Sequence, residues 1–229
     1  MNARRSVLAA AACLALAACS SSHDNFDRST QYGPDPQLPE PSRALVPRMN
    51  VSKVVGWAQG ETPTVPQGFR IEAIATGLSS PRNVYPLPNG DLLVVESKKE
   101  AKEPLELPKR LVMGWVEAKA HGSGSGPSNR ILLLRDSNGD GKPDAQSVLI
   151  DHLNAPFGVV LVGDALYVAD TDAILRYAFK AGDSKVGGEA TKLVDLPAGP
   201  INHHWTKSLT ASADGSKLYV GVGSNSNIL

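Results

Sequence analysis

Three times along this chain of 229 residues, a short polar or proline-containing lead-in is followed by a β-rich segment, a Gly/Asp/Asn turn and a second β-rich segment. In the first unit, Leu78-Ser79-Ser80-Pro81-Arg82-Asn83-Val84 leads through Pro88-Asn89-Gly90-Asp91 to Leu92-Leu93-Val94-Val95-Glu96. In the second, Leu153-Asn154-Ala155-Pro156-Phe157-Gly158-Val159 leads through Gly163-Asp164 to Ala165-Leu166-Tyr167-Val168-Ala169-Asp170. In the third, Asn202-His203-His204-Trp205-Thr206-Lys207 runs into alternating segments at 209–213 and 217–222, joined by Asp214-Gly215. Alternation selects strands because successive side chains point to opposite faces, and Asp-Gly supplies the backbone freedom of a tight hairpin turn. Further strands are expected at 69–75, 130–135, 146–150 and 173–178, and no helical period of useful length is present.

Repeated hairpin units predict an all-β fold, and recurrence at this scale predicts a β-propeller, whose blades present side chains to a central channel. An immunoglobulin-like sandwich also uses short strands, but it does not call for a recurring lead-in before each hairpin. The two imidazoles of the third unit stand at the mouth of its hairpin. Histidine there has the chemistry of a general base near neutral pH, although a surface pair beside a turn has the same sequence.

Residues 1–18 carry Arg4 and Arg5, then an apolar run, then small residues, which is the layout of an export signal and too short for a membrane span. Leu16-Ala17-Ala18-Cys19 resembles a bacterial lipobox. That resemblance implies lipidation at Cys19 and anchoring in the cell envelope, at the outer membrane facing the periplasm. Cys13 falls inside the discarded segment, so no thiol pair remains for a disulfide. Residues 19–68 are proline-rich with little periodicity and read as a tether. Residues 69–229 are the propeller region, interrupted at 97–128 by a charged, then Gly/Ser-rich insertion in which His121 has no assigned chemistry. Acidic and basic residues balance at 23 each, which removes the electrostatic field a nucleic-acid partner needs.

Asp136, Asn138, Asp140 and Asp144 follow the first part of an EF-hand-type calcium loop, with Gly141 at the sharp turn. The twelfth position is Ser147 rather than a bidentate acid, and strands flank the loop. Calcium held as a structural ion, and an Asx-rich turn bonding its own backbone, are the two readings of this stretch.

The segment from Asn202 to Leu209, followed by Asp214-Gly215-Ser216-Lys217-Leu218-Tyr219-Val220-Gly221-Val222-Gly223-Ser224-Asn225-Ser226-Asn227, resembles the pyrroloquinoline quinone-dependent sorbosone, glucose and pyranose dehydrogenases. Pro81-Arg82-Asn83 and Ala155-Pro156-Phe157-Gly158 fit the same family, and the similarity covers about residues 69–229. The resemblance implies a six-bladed propeller that oxidises a sugar or polyol, with PQQ as cofactor and a quinone or cytochrome as final electron acceptor. It places the catalytic histidine on His204, five residues before Leu209, with His203 facing substrate. Arg82 and Lys207 become candidate cofactor contacts. A blade needs about forty to fifty residues, so about three of six blades are expected here, and the chain reads as a piece of a longer enzyme, inactive alone. The competing reading is a non-catalytic, membrane-anchored propeller that binds a glycan or protein. A calcium-dependent lactonase-type propeller would need a carboxylate cluster at the channel mouth, which the sequence lacks.

Overall fold

The computed structural model describes residues 27–38, 55–58, 60–99, 107, 111, 114, 126–199, 202 and 204–224. Residues 1–18 and the lipidation candidate Cys19 lie outside these. Contacts divide the chain into two units, Met1–Asn50 and Val51–Leu229. The described part of the first contains a 3-10 turn, Arg28–Gln31, capped by Asp27, whose carboxylate accepts from Ser29 N at 2.9 Å and Ser29 Oγ at 2.7 Å. No helix among the described residues is long and apolar enough to cross a membrane.

The second unit is built from antiparallel strands. β1 (Pro81–Pro86), β2 (Leu92–Glu96), β3 (Arg130–Arg135) and β4 (Ala145–Ile150) form one four-stranded sheet in chain order. β5 (Gly158–Val162), β6 (Ala165–Ala169), β7 (Ala173–Ala178) and β8 (Thr191–Asp195) form a second, and β9 (Ser208–Ala211) pairs with β10 (Leu218–Gly221) in a third. The strands expected at 130–135, 146–150 and 173–178 are thus present as β3, β4 and β7.

The first strands of successive sheets meet: β5 lies against both β1 and β9. Asn83 Nδ2 donates to Phe157 O at 3.0 Å, Leu161 N donates to Tyr85 Oη at 3.1 Å, and Gly158 N donates to Lys207 O at 2.9 Å. Sheets that fan outward from touching first strands are propeller blades, here two complete ones and two strands of a third.

The burial pattern explains why the inner runs are continuously apolar. β2 and β3 are flanked by strands on both edges and covered on both faces, so Leu93, Val94, Val95, Ile131, Leu132, Leu133 and Leu134 are all nearly inaccessible. Leu93, Val95, Ile131 and Leu133 join Val159, Leu166, Val168 and Phe179 of the second blade in the main core. Val94, Leu132 and Leu134 form a smaller cluster on the opposite face, against Ala75, Leu78 and Leu92. Each such side chain contributes about 1.5–3 kcal/mol of hydrophobic stabilisation.

One expectation changes, and one strand is unexpected. Residues 69–75 form no strand, and Phe69 and Ile71 are exposed; alternation provides the side-chain pattern, but no described strand offers them a hydrogen-bonding ladder. β8 carried no readable signal, because all five of its residues are exposed and its pairing with β7 alone defines it.

Gly158 marks the tightest approach between blades. A Cβ on it would lie 2.5 Å from Leu209 N and 2.6 Å from both Leu209 Cβ and Lys207 O. Gly158→Ala is therefore expected to push the third unit off β5, at a cost of about 1–3 kcal/mol from overpacking against backbone. The urea midpoint measures this; an unchanged midpoint would mean that the third unit yields without penalty.

Candidate active site at the lead-ins of the blades

Pairing places the three lead-ins in register. Val84, Val159 and Leu209 pair with Val94, Val168 and Val220, so Ser79, Asn154 and His204, each five residues earlier, hold equivalent positions. The residues just before Pro81 and Pro156, Ser80 and Ala155, have φ of 56° and 50°, left-handed values that cost energy for side chains other than glycine. Local preference does not hold these turns, and a carboxylate at the end of the second strand does.

In the first unit that carboxylate is Glu96, fully buried, which accepts from Ser79 N and pairs with Arg130 Nε at 2.6 Å. In the second it is Asp170, 4 % exposed, whose Oδ2 accepts from Asn154 N at 2.9 Å. The position of Arg130, two residues before the partner of Val94, is occupied by Ala173 in the second unit. Among the described residues Asp170 Oδ1 has no hydrogen-bond partner. Burial pushes its pKa up to about 6, against the opposing Asn154 amide and with a further push from Asp172. A carboxyl raised from 3.8 in this way weakens the fold by roughly 3 kcal/mol above pH 6, and that burden lifts as the pH falls through 6 towards 4.

In the third unit the position belongs to His204, which is half-buried, and its Nδ1 lies 2.5 Å from the Ser224 carbonyl oxygen. A carbonyl only accepts, so Nδ1 is the donor, and in the neutral imidazole Nε2 is the nitrogen with the lone pair. Beneath it Lys207 is 1 % exposed and donates from Nζ to His204 O at 3.4 Å; burial pushes its pKa down. Lys207 is thus closed to solvent and bonded to the histidine's own backbone.

Arg82, at the start of β1, reaches the third unit: its Cζ lies 5.3 Å from the centre of the Trp205 ring, and Nε donates to Ser97 O at 3.4 Å. Trp205 in turn accepts at its carbonyl from Thr171 Oγ1 at 3.0 Å, and Asn202 Nδ2 donates to the same Thr171 oxygen at 3.1 Å. Asn154, Thr171, Asp172, Asn202 and Trp205 line a cleft of about 150 Å³. Ligand pockets run to about 300–1,000 Å³, so this cleft has room for part of a ligand.

The fold thus brings together Arg82, His204 and Lys207 at the lead-ins; His203 lies outside the described residues. Asp136, Asn138, Asp140 and Asp144 sit in the β3–β4 turn and belong to a different assembly. Asp136 accepts from Gly139 N at 2.7 Å, Asp140 N at 3.2 Å and Gly141 N at 2.7 Å. Asn138 accepts from Asp140 N at 3.0 Å, Asp140 from Lys142 N at 2.9 Å, and Asp144 from Ser137 N at 2.9 Å. These bonds hold the loop as an Asx-rich turn, and among the described residues no group of three acidic, His or Cys side chains is placed to hold a metal.

Asp170, Thr171 and Asn202 were not singled out from sequence. The available signal was an apolar run ending in an acid at matched positions, Glu96 and Asp170, which read as an ordinary strand end.

Fold and lead-ins together define a β-propeller in which the lead-in to β9 carries a histidine, a buried lysine and the indole that meets an arginine of β1. A family model described as a domain of unknown function, DUF7133, matches residues 61–229, and the chain belongs to that family. No curated protein matches it. Among solved structures it is similar to the holo form of the PQQ domain of pyranose dehydrogenase from Coprinopsis cinerea, with a TM-score of 0.52 and 19 % identity over 72 % of this chain and 33 % of that one. It is also similar to the calcium structure of the Trichoderma reesei carbohydrate-active enzyme of family AA12, with a TM-score of 0.50 and 20 % identity over 72 % of this chain and 35 % of that one. At this identity the likeness is one of fold. The chain spans about a third of the length of these structures.

Proposed function

We propose that the native protein oxidises a sugar or polyol with pyrroloquinoline quinone as cofactor, and that His204 is the base. The observation that carries this reading is the Ser224 carbonyl on His204 Nδ1, which leaves Nε2 free to accept a proton from a substrate hydroxyl. The cofactor, when bound, accepts the hydride that no side chain can take. Arg82, held over Trp205, offers its guanidinium to an anionic carboxylate of the quinone. Lys207 acts through His204, holding the backbone from which the imidazole projects. His203 is assigned to substrate on the resemblance of its segment, and Cys19 to a lipid anchor in the bacterial envelope. A quinone or cytochrome as onward acceptor belongs to the same reading.

The test uses the native protein loaded with pyrroloquinoline quinone, with dye reduction followed across a panel of aldoses and polyols. Reduction that needs both sugar and quinone supports the enzyme. Sugar binding by calorimetry with no dye reduction would replace it with the binding module.

A further inference from the structure

We propose that Asp170 is the positioning residue of the cleft: through the Asn154 amide it holds the turn that forms one wall, and it lets that wall go when it takes up a proton. The residue it bonds and the residues that follow it, Asn154, Ala155, Thr171 and Asp172, all line the cleft. Ala155 is held at φ 50°, so the wall keeps its shape only while something outside the turn holds it. Thr171 passes that hold to the third unit through its bonds with the Trp205 carbonyl and the Asn202 side chain.

The first unit is the built-in comparison. Glu96 holds Ser79 in the same way through Oε1, but with Arg130 at 2.6 Å on Oε2. Asp170 has Ala173 there instead and an oxygen with no partner. The titratable and charged groups on the elements around it are Asp151 and His152 before Asn154, Tyr167 on β6, Asp172 on its own turn, Arg176 and Tyr177 on β7, Lys192 and Asp195 on β8, Lys99 on the cleft wall, and His204 and Lys207 of the third unit; β5 carries none. None of them donates a hydrogen bond to Oδ1, which is the oxygen open to the proton. Burial sets the midpoint at about 6, and a neutral carboxyl is a weaker acceptor for the Asn154 amide than a carboxylate. This inference does not depend on the quinone reading.

The test is a pH titration of the ¹⁵N-labelled full chain between about pH 4.5 and 8, with the Ser79 amide as internal reference. The Asn154 amide resonance is expected to move with a midpoint near 6, in step with the Asn202 side-chain amide and the Trp205 indole. Asp170→Asn abolishes the movement, and Asp172→Asn shifts the midpoint downward by removing a neighbouring negative charge. A flat Asn154 resonance, a titration that survives in Asp170→Asn, or an unchanged midpoint in Asp172→Asn overturns the proposal. Movement of Asn154 without Asn202 and Trp205 also overturns it, because the carboxylate would then hold only its own turn.

Discussion

His204→Ala is expected to lower sugar-dependent dye reduction by the quinone-loaded native protein by about 10²–10⁴-fold, the usual contribution of a positioned general base. The loss should fall on kcat, with cofactor binding retained, since the imidazole is assigned to the proton and the guanidinium of Arg82 to the quinone. The argument rests on one contact: with Nδ1 committed to the Ser224 carbonyl, Nε2 is the acceptor. His204→Gln is the informative companion, because it keeps a polar side chain and removes the base. Retention of kcat in both variants would sink the assignment of His204, whereas loss of quinone binding in both would recast it as a structural support.

Glu96→Ala is expected to destabilise the propeller unit by about 3–5 kcal/mol, a large share of the 5–15 kcal/mol typical of a domain. Glu96 is fully buried, and its removal strands Arg130 and leaves the Ser79 amide without an acceptor while Ser80 still needs its left-handed φ. Glu96→Gln keeps an acceptor for Ser79 and should cost less. The double variant Glu96→Ala/Arg130→Ala should recover part of the loss, because it removes the stranded cation along with its partner. Urea denaturation provides the ΔΔG values; strict additivity of the two single variants would show that Glu96 and Arg130 are not energetically coupled to each other.

The hairpins were legible because strands β2, β3 and β6 are central in their blades. Such strands must be apolar nearly throughout, and their turns need Gly90, Gly163 or Gly215 at positive φ. β8 was not legible, because an outer strand with every residue exposed is under no pressure to show a pattern. The segment at 69–75 misled for the opposite reason: it has the pattern without the pairing. His204, Arg82 and Lys207 were singled out on the resemblance of their segments, and strand pairing places the lead-ins that hold them in the same register. Asp136 and its neighbours pointed to calcium, since ligand spacing is the same whether the oxygens face an ion or the loop's own amides.

What the amino-acid order determined by itself was local: alternation, turn chemistry, the recurring lead-in, and hence blades. These depend on neighbours within a few residues, where spacing along the chain is distance in space. What only the tertiary structure decided was partnership. Glu96 and Asp170 end equivalent strands and hold equivalent turns, yet one is paired and the other is not. The difference lies at Arg130 and Ala173, on the next strand of each blade. In the same way Arg82 meets Trp205 only after the blades stack, and His204 meets Ser224 only after β10 pairs with β9. A charge buried in a low-dielectric interior is governed by whatever stands within a few ångströms of it, and strand pairing rather than sequence order chooses that neighbour.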